Sequence, residues 1–104
     1  LVEFKERMSE KKFYFLPRPK DSETLNKLGY TMRNVKDVLF YLTDRHYSQG
    51  PLNDKDRPGT GDIYVFSVDI DSIEIYIKLK IDVANGDKIA KCISFHQAEF
   101  PMKP

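Results

Sequence analysis

Residues 73–82 alternate without a break. Ile73, Ile75, Ile77, Leu79 and Ile81 stand against Glu74, Tyr76, Lys78, Lys80 and Asp82. Period two marks a strand with one buried and one wet face. Ahead of it, residues 62–70 place Tyr64, Phe66, Val68 and Ile70 on one side. Behind it, residues 88–96 are expected to turn Ile93 and Phe95 to the core, and Cys92, Ser94 and His96 away. Asp71-Ser72 and Asn85-Gly86 supply the turns, Asn-Gly being a strong hairpin signal. The pattern therefore predicts a three-stranded antiparallel sheet from Asp62 to His96.

The first half of the chain reads as helix. Val35, Val38, Leu39 and Leu42 recur at a 3.6-residue period, and Met32 extends the stripe backwards. Thr31 is placed to cap this helix, which is expected to end between Asp44 and Tyr47. A shorter helix, SETLNKL, opens at Ser22 and stops at Gly29. Phe13 to Pro17 reads as a short strand. Residues 1–11 are polar and unpatterned, so a frayed or weakly helical arm is expected, followed by one domain over 12–104. Residues 48–61 hold three Gly and two Pro, which predicts a long surface loop. The tail QAEFPMKP is too rich in proline to continue a strand. The whole is an α+β fold: an antiparallel β-sheet with two N-terminal helices packed on one face.

Composition narrows the function only by exclusion. The 104 residues are 40% hydrophobic and 32% charged, with a formal net charge of +1. Residues 1–50 carry ten Lys/Arg against seven Asp/Glu. A nucleic-acid site must therefore come from a local cluster rather than from the overall field. One cysteine, Cys92, permits no internal disulfide, which agrees with a reducing cytoplasm. No apolar run approaches membrane-spanning length. No zinc spacing, calcium loop or phosphate-cradling glycine loop is present, so no metal and no cofactor is expected.

Alternation gathers Tyr76, Lys78 and Lys80 with Ser94 and His96 on the polar face of the sheet. Residues on neighbouring strands meet across one rung of the ladder. Two ammonium groups would attract a phosphate. An imidazole, with an ordinary pKa of about 6.5, exchanges protons near neutral pH. A tyrosine can stack on an unpaired base. The same residue types also keep a solvated sheet face soluble and guard edges against aggregation. His46, at the expected helix end, is either a cation favoured by the helix dipole or, with Tyr47, a further part of the site. Lys11, Lys12, Arg18 and Lys20 are either solvated or contacts to a nucleic-acid backbone.

In order along the chain, FLPRPK, LNKLGYT, YLTDRHYSQGP, IEIYIKLKI and KCISFH resemble the MqsR family of type II toxin–antitoxin systems. The resemblance runs from about Phe13 to Glu99. It implies a RelE-like bacterial RNase toxin fold and an mRNA interferase, a metal-independent endoribonuclease that halts translation. It also implies a cognate antitoxin protein as partner, mRNA as substrate, and no DNA binding by this chain alone. The family's tyrosine falls on Tyr76, and its C-terminal catalytic lysine on His96. Its glutamine falls on Val65, and its other lysine near Ser48 or Gln49, where His46 is the nearest substitute. The site expected on this basis has His96, Tyr76, Lys78 and His46 as catalytic groups, with Lys80, Ser94, Tyr47 and Arg18 binding RNA. The alternative is a non-catalytic RNA- or protein-binding module on the same fold.

Overall fold

The alternating segment becomes the central long strand of the sheet. In a computed structural model, which describes residues 1–100, β3 (Ile63–Ile70), β4 (Ile73–Ala84) and β5 (Asp87–Gln97) form the expected antiparallel meander. Asp71, Ser72, Asn85 and Gly86 all have positive φ, the backbone that two-residue hairpin turns of the right twist require. Ile75, Ile77 and Leu79 are buried on one face, each contributing about 1.5–3 kcal/mol.

The sheet is larger than the sequence pattern and it is mixed. Its order is β1-β5-β4-β3-β2. β1 (Phe13–Phe15) runs parallel to β5, and β2 (Tyr47–Leu52) pairs antiparallel with β3. All of β2 but Tyr47 lies inside the stretch, residues 48–61, expected to be loop. Local glycine and proline signals there are overridden by pairing, with register shifts on both sides of Gln49. Gly61 closes the remaining loop against β4 at φ 127°, and a Cβ there would stand 2.3 Å from the Ile81 carbonyl oxygen.

Three α-helices are present among the described residues, against the two expected. α1 (Val2–Ser9) is a packed helix where a frayed or weakly helical arm was expected, because Phe4 and Met8, one turn apart, are both buried in the core. α2 (Pro19–Leu28) begins three residues before Ser22, with Arg18 as its N-cap and Gly29 in the left-handed C-terminal position. α3 (Met32–Tyr41) carries Val35 and Leu39 into the core. It starts at Thr31 as expected but ends early. A short 3₁₀ turn, Asp44–His46, follows it.

A bulge corrects the facing of the last strand. Between Lys78 and Leu79 the β4 ladder steps from Ser94 to Cys92, leaving Ile93 as the extra residue. Cys92 and Ala90 therefore face the core with Phe95, and Ile93 does not. Burial pushes the Cys92 thiol far above its ordinary range, and the nearby Asp21 charge adds to this. Of the proline-rich tail, Pro101 to Pro104 lie outside the described residues. Among the described residues no helix is long and apolar enough to cross a membrane.

Candidate functional site

The polar face of β4 is divided in two. Toward its end, residues 53–61 fold back over it. The Lys80 ammonium donates to Asp54 Oδ2 at 2.5 Å and to Thr60 Oγ1 at 2.6 Å, and its side chain is 0% exposed. Asp82 Oδ2 accepts from Arg57 Nη1 at 2.6 Å and lies 3.7 Å from both Lys80 and Lys91. Among the described residues Asp82 Oδ1 is buried without a hydrogen-bond partner. Lys80 was expected to meet RNA on an open face. Instead it is sealed under the loop as an ion-paired structural cation. Asp54, 26 residues away in sequence, decides this, so no strand pattern could reveal it.

The other half is open. Tyr76 and His96 face each other across one rung of the β4–β5 ladder. Their rings stack with centroids 5.1 Å apart and planes 16° from parallel. Lys78, on the next rung opposite Ser94, holds its ammonium 5.7 Å from the Tyr76 ring centre. These groups line a groove of about 690 Å³ together with Arg18, Lys20, Asp21, Glu99 and Phe100.

α2 contributes to that lining by standing in for an edge strand. β1 covers β5 only as far as Cys92. Beyond it, Asp21 Oδ1 accepts from the Phe95 N–H and Thr24 Oγ1 from the Gln97 N–H, both at 2.9 Å. Asp21 Oδ2 also accepts from the Arg18 N–H at 2.9 Å. Free strand donors are thus satisfied by side chains, and the helix start is fixed beside Ser94 and His96. Replacing the buried Asp21 by Ala strands the Phe95 N–H and removes the N-terminal cap. A loss of about 2–3 kcal/mol is expected, read as a lower urea midpoint with unchanged slope.

Arg18 is held in turn. Its Nη2 donates to Ser94 Oγ at 3.1 Å and to the Ile93 carbonyl at 3.2 Å. The remaining donors of the guanidinium are unclaimed by these bonds. Ser94 is only 2% exposed. It was expected to touch RNA, but it serves as the acceptor that aims Arg18. The bulge at Ile93 brings that carbonyl and that hydroxyl to the same guanidinium.

The two histidines carry opposite tautomers. His96 Nδ1 lies 3.0 Å from the Gln97 carbonyl oxygen. A carbonyl only accepts, so this contact places a hydrogen on Nδ1 and leaves the Nε2 lone pair free in the neutral ring. His46 Nδ1 instead accepts from the Thr43 N–H at 2.9 Å, so its lone pair is spent on capping the 3₁₀ turn. His46 lies against Tyr41 in a separate pocket and does not join the groove. The dipole explanation also fails, since α3 ends at Tyr41. Tyr47 is opposite Phe66, whose ring it meets edge-on at 5.9 Å, on the helix-bearing face of the sheet. It too is away from the groove. Its hydroxyl donates to the Gly50 carbonyl.

Lys20, read in the basic segment as solvated or a backbone contact, lies in the groove, and sequence reasoning missed Asp21 and Glu99. Glu99 pairs with Lys20, whose ammonium holds the Glu99 carboxyl below its ordinary range. Pro19 at the first helical position with Asp21 two residues on was a readable helix start. It would have brought Arg18 and Lys20 to the edge of β5. Val65 is buried opposite Lys78, with Gln49 paired to it on β2. Across four strands, one rung therefore runs Gln49, Val65, Lys78 and Ser94.

The groove of this α+β fold is lined by the cations Arg18, Lys20 and Lys78 and by the His96 imidazole. No protein-family model, curated protein or solved structure matches the chain.

Proposed function

We propose that the groove binds single-stranded RNA and cuts it by attack of the ribose 2′-OH on the adjacent phosphorus. In this reading the chain is an endoribonuclease toxin of the MqsR type on a RelE-like fold. An antitoxin protein would neutralise it. The observation that carries the reading is the stacked Tyr76–His96 pair, with imidazole Nε2 free and two cations, Lys78 and Arg18, beside it.

His96 Nε2 takes the proton of the 2′-OH. The 2′-oxygen bonds to phosphorus, the bond from phosphorus to the 5′-oxygen breaks, and the Tyr76 hydroxyl gives the leaving oxygen its proton; His96 then releases its proton to water as Tyr76 regains one from it. The products are a 2′,3′-cyclic phosphate and a 5′-hydroxyl. Lys78 and Arg18 offset the charge that develops on the phosphate oxygens, the role first expected for Lys78 and Lys80. Ser94 keeps Arg18 in place.

The nucleophile belongs to the substrate, so no metal-activated water enters these steps. Cleavage of an RNA oligonucleotide is expected to proceed equally with and without EDTA, and the all-deoxy oligonucleotide is expected to stay intact. A requirement for added Mg²⁺ would sink the mechanism. Expression without an antitoxin protein is expected to arrest bacterial growth. The buried, apolar Val65 at the centre of the rung favours the second reading, a module that binds RNA without cutting it. Binding with no cleavage product would decide for that reading.

A further inference from the structure

Two grooves meet at His96. One is the candidate site. The other, about 240 Å³, runs along α2 past Glu23 and Lys27. Lys20, His96, Ala98 and Glu99 line both. The ion pair between Lys20 and Glu99 belongs to the lining that both share. Both side chains are largely exposed, and exposed pairs of this kind are weak and readily exchanged. The arrangement repeats one step on, where Lys27 Nζ donates to Gln97 Oε1 at 2.9 Å. Lys20 and Lys27 are seven residues apart on α2, about 10.5 Å along its axis. The Ala98 N–H donates to the Glu74 carbonyl at 2.9 Å, so the backbone here is tied to the sheet. Opening the pair needs only side-chain rotation.

We infer that Lys20, beside His96, is a second phosphate subsite that the chain's own Glu99 carboxylate fills until a phosphate of a single-stranded nucleic-acid backbone takes its place. The inference rests on the RNA reading for its substrate. A strand whose reacting phosphate lies at Arg18 and Lys78 must pass Lys20 to reach Lys27. Displacing Glu99 exchanges one anion for another on the same ammonium, so the cation keeps a partner throughout. The lining that both grooves share then carries one track past the imidazole. A grip on both sides of the reacting phosphate suits an internal cut rather than trimming from an end.

The test uses inorganic phosphate on the full chain, read by the NMR shift of the His96 ring, with the His46 ring as an internal control. Glu99→Gln is expected to tighten phosphate binding about two- to five-fold, the range that an exposed ion pair represents. Lys20→Gln is expected to weaken it, and the double variant to bind no better than Lys20→Gln alone. Phosphate affinity indifferent to both substitutions, or a His46 response equal to that of His96, overturns the subsite. A protein that shows the expected phosphate series but cuts no RNA keeps the subsite and loses the ribonuclease. RNA cleavage with an affinity indifferent to Glu99 does the reverse.

Discussion

Replacing His96 with alanine lowers RNA cleavage about a hundred- to ten-thousand-fold, the usual worth of one positioned proton-transfer group. The effect falls on the bond-breaking step, because His96 supplies the one imidazole among the described residues of the groove. His46, the other histidine, has its Nδ1 lone pair engaged by the Thr43 N–H and sits in another pocket. Tyr76→Phe keeps the stacked ring and removes only the hydroxyl, so it separates proton donation from packing. His46→Gln is expected to leave the rate near that of the parent. Single-turnover assays of each variant, on protein whose fold is confirmed by circular dichroism, supply the comparison. Parental rates in both His96→Ala and Tyr76→Phe would remove the groove from the chemistry.

The second large effect is on stability. Lys80→Met is expected to cost about 3–5 kcal/mol, because it leaves the covered Asp54 carboxylate without its partner and Asp82 with one cation fewer. That is a large share of a small domain's total, and the urea midpoint should fall by at least about 1 M. Adding Asp54→Asn should recover much of the loss. The acid limb carries a second signature. The hydrogen bond from Lys80 holds the Asp54 carboxyl below its ordinary 3.8, against the opposing effect of burial. A carboxyl depressed in the folded state stabilises fully above the unfolded value, and that contribution fades as pH falls through the folded value. The parent should therefore lose stability more steeply below about pH 4 than Lys80→Met, and the gap between them should narrow. A constant gap from pH 7 to pH 3 would contradict the assigned pair.

These two residues show how far the sequence could be read. Lys80 and Lys78 have the same place in the alternation, and the strand pattern cannot tell them apart. Chain from a distant loop buries one and leaves the other at the groove. The core face of β4 was legible because period two depends only on neighbours, and the hairpin turns because Asp-Ser and Asn-Gly tolerate positive φ. β2 was not legible. Its Gly50 and Pro51 give strong local signals, and only the β3 partner makes the segment a strand. α1 was hidden for a similar reason, since two apolar residues a turn apart become a core face only when the sheet is there to receive them. Cys92 shows a different limit. A one-residue bulge reverses its facing and no composition signal announces it. Of the site, Tyr76, Lys78 and His96 follow from alternation, Arg18 and Lys20 from the basic segment, and Asp21 and Glu99 only from the packing of α2 along β5.

The most direct measurement is mass analysis of an RNA oligonucleotide incubated with the purified chain in EDTA. It is paired with the same oligonucleotide carrying a 2′-deoxy sugar at the cut position. The account predicts fragments ending in a 2′,3′-cyclic phosphate and beginning with a 5′-hydroxyl, and no cut at the deoxy position. Intact RNA, or cleavage that survives loss of the 2′-OH, would contradict it.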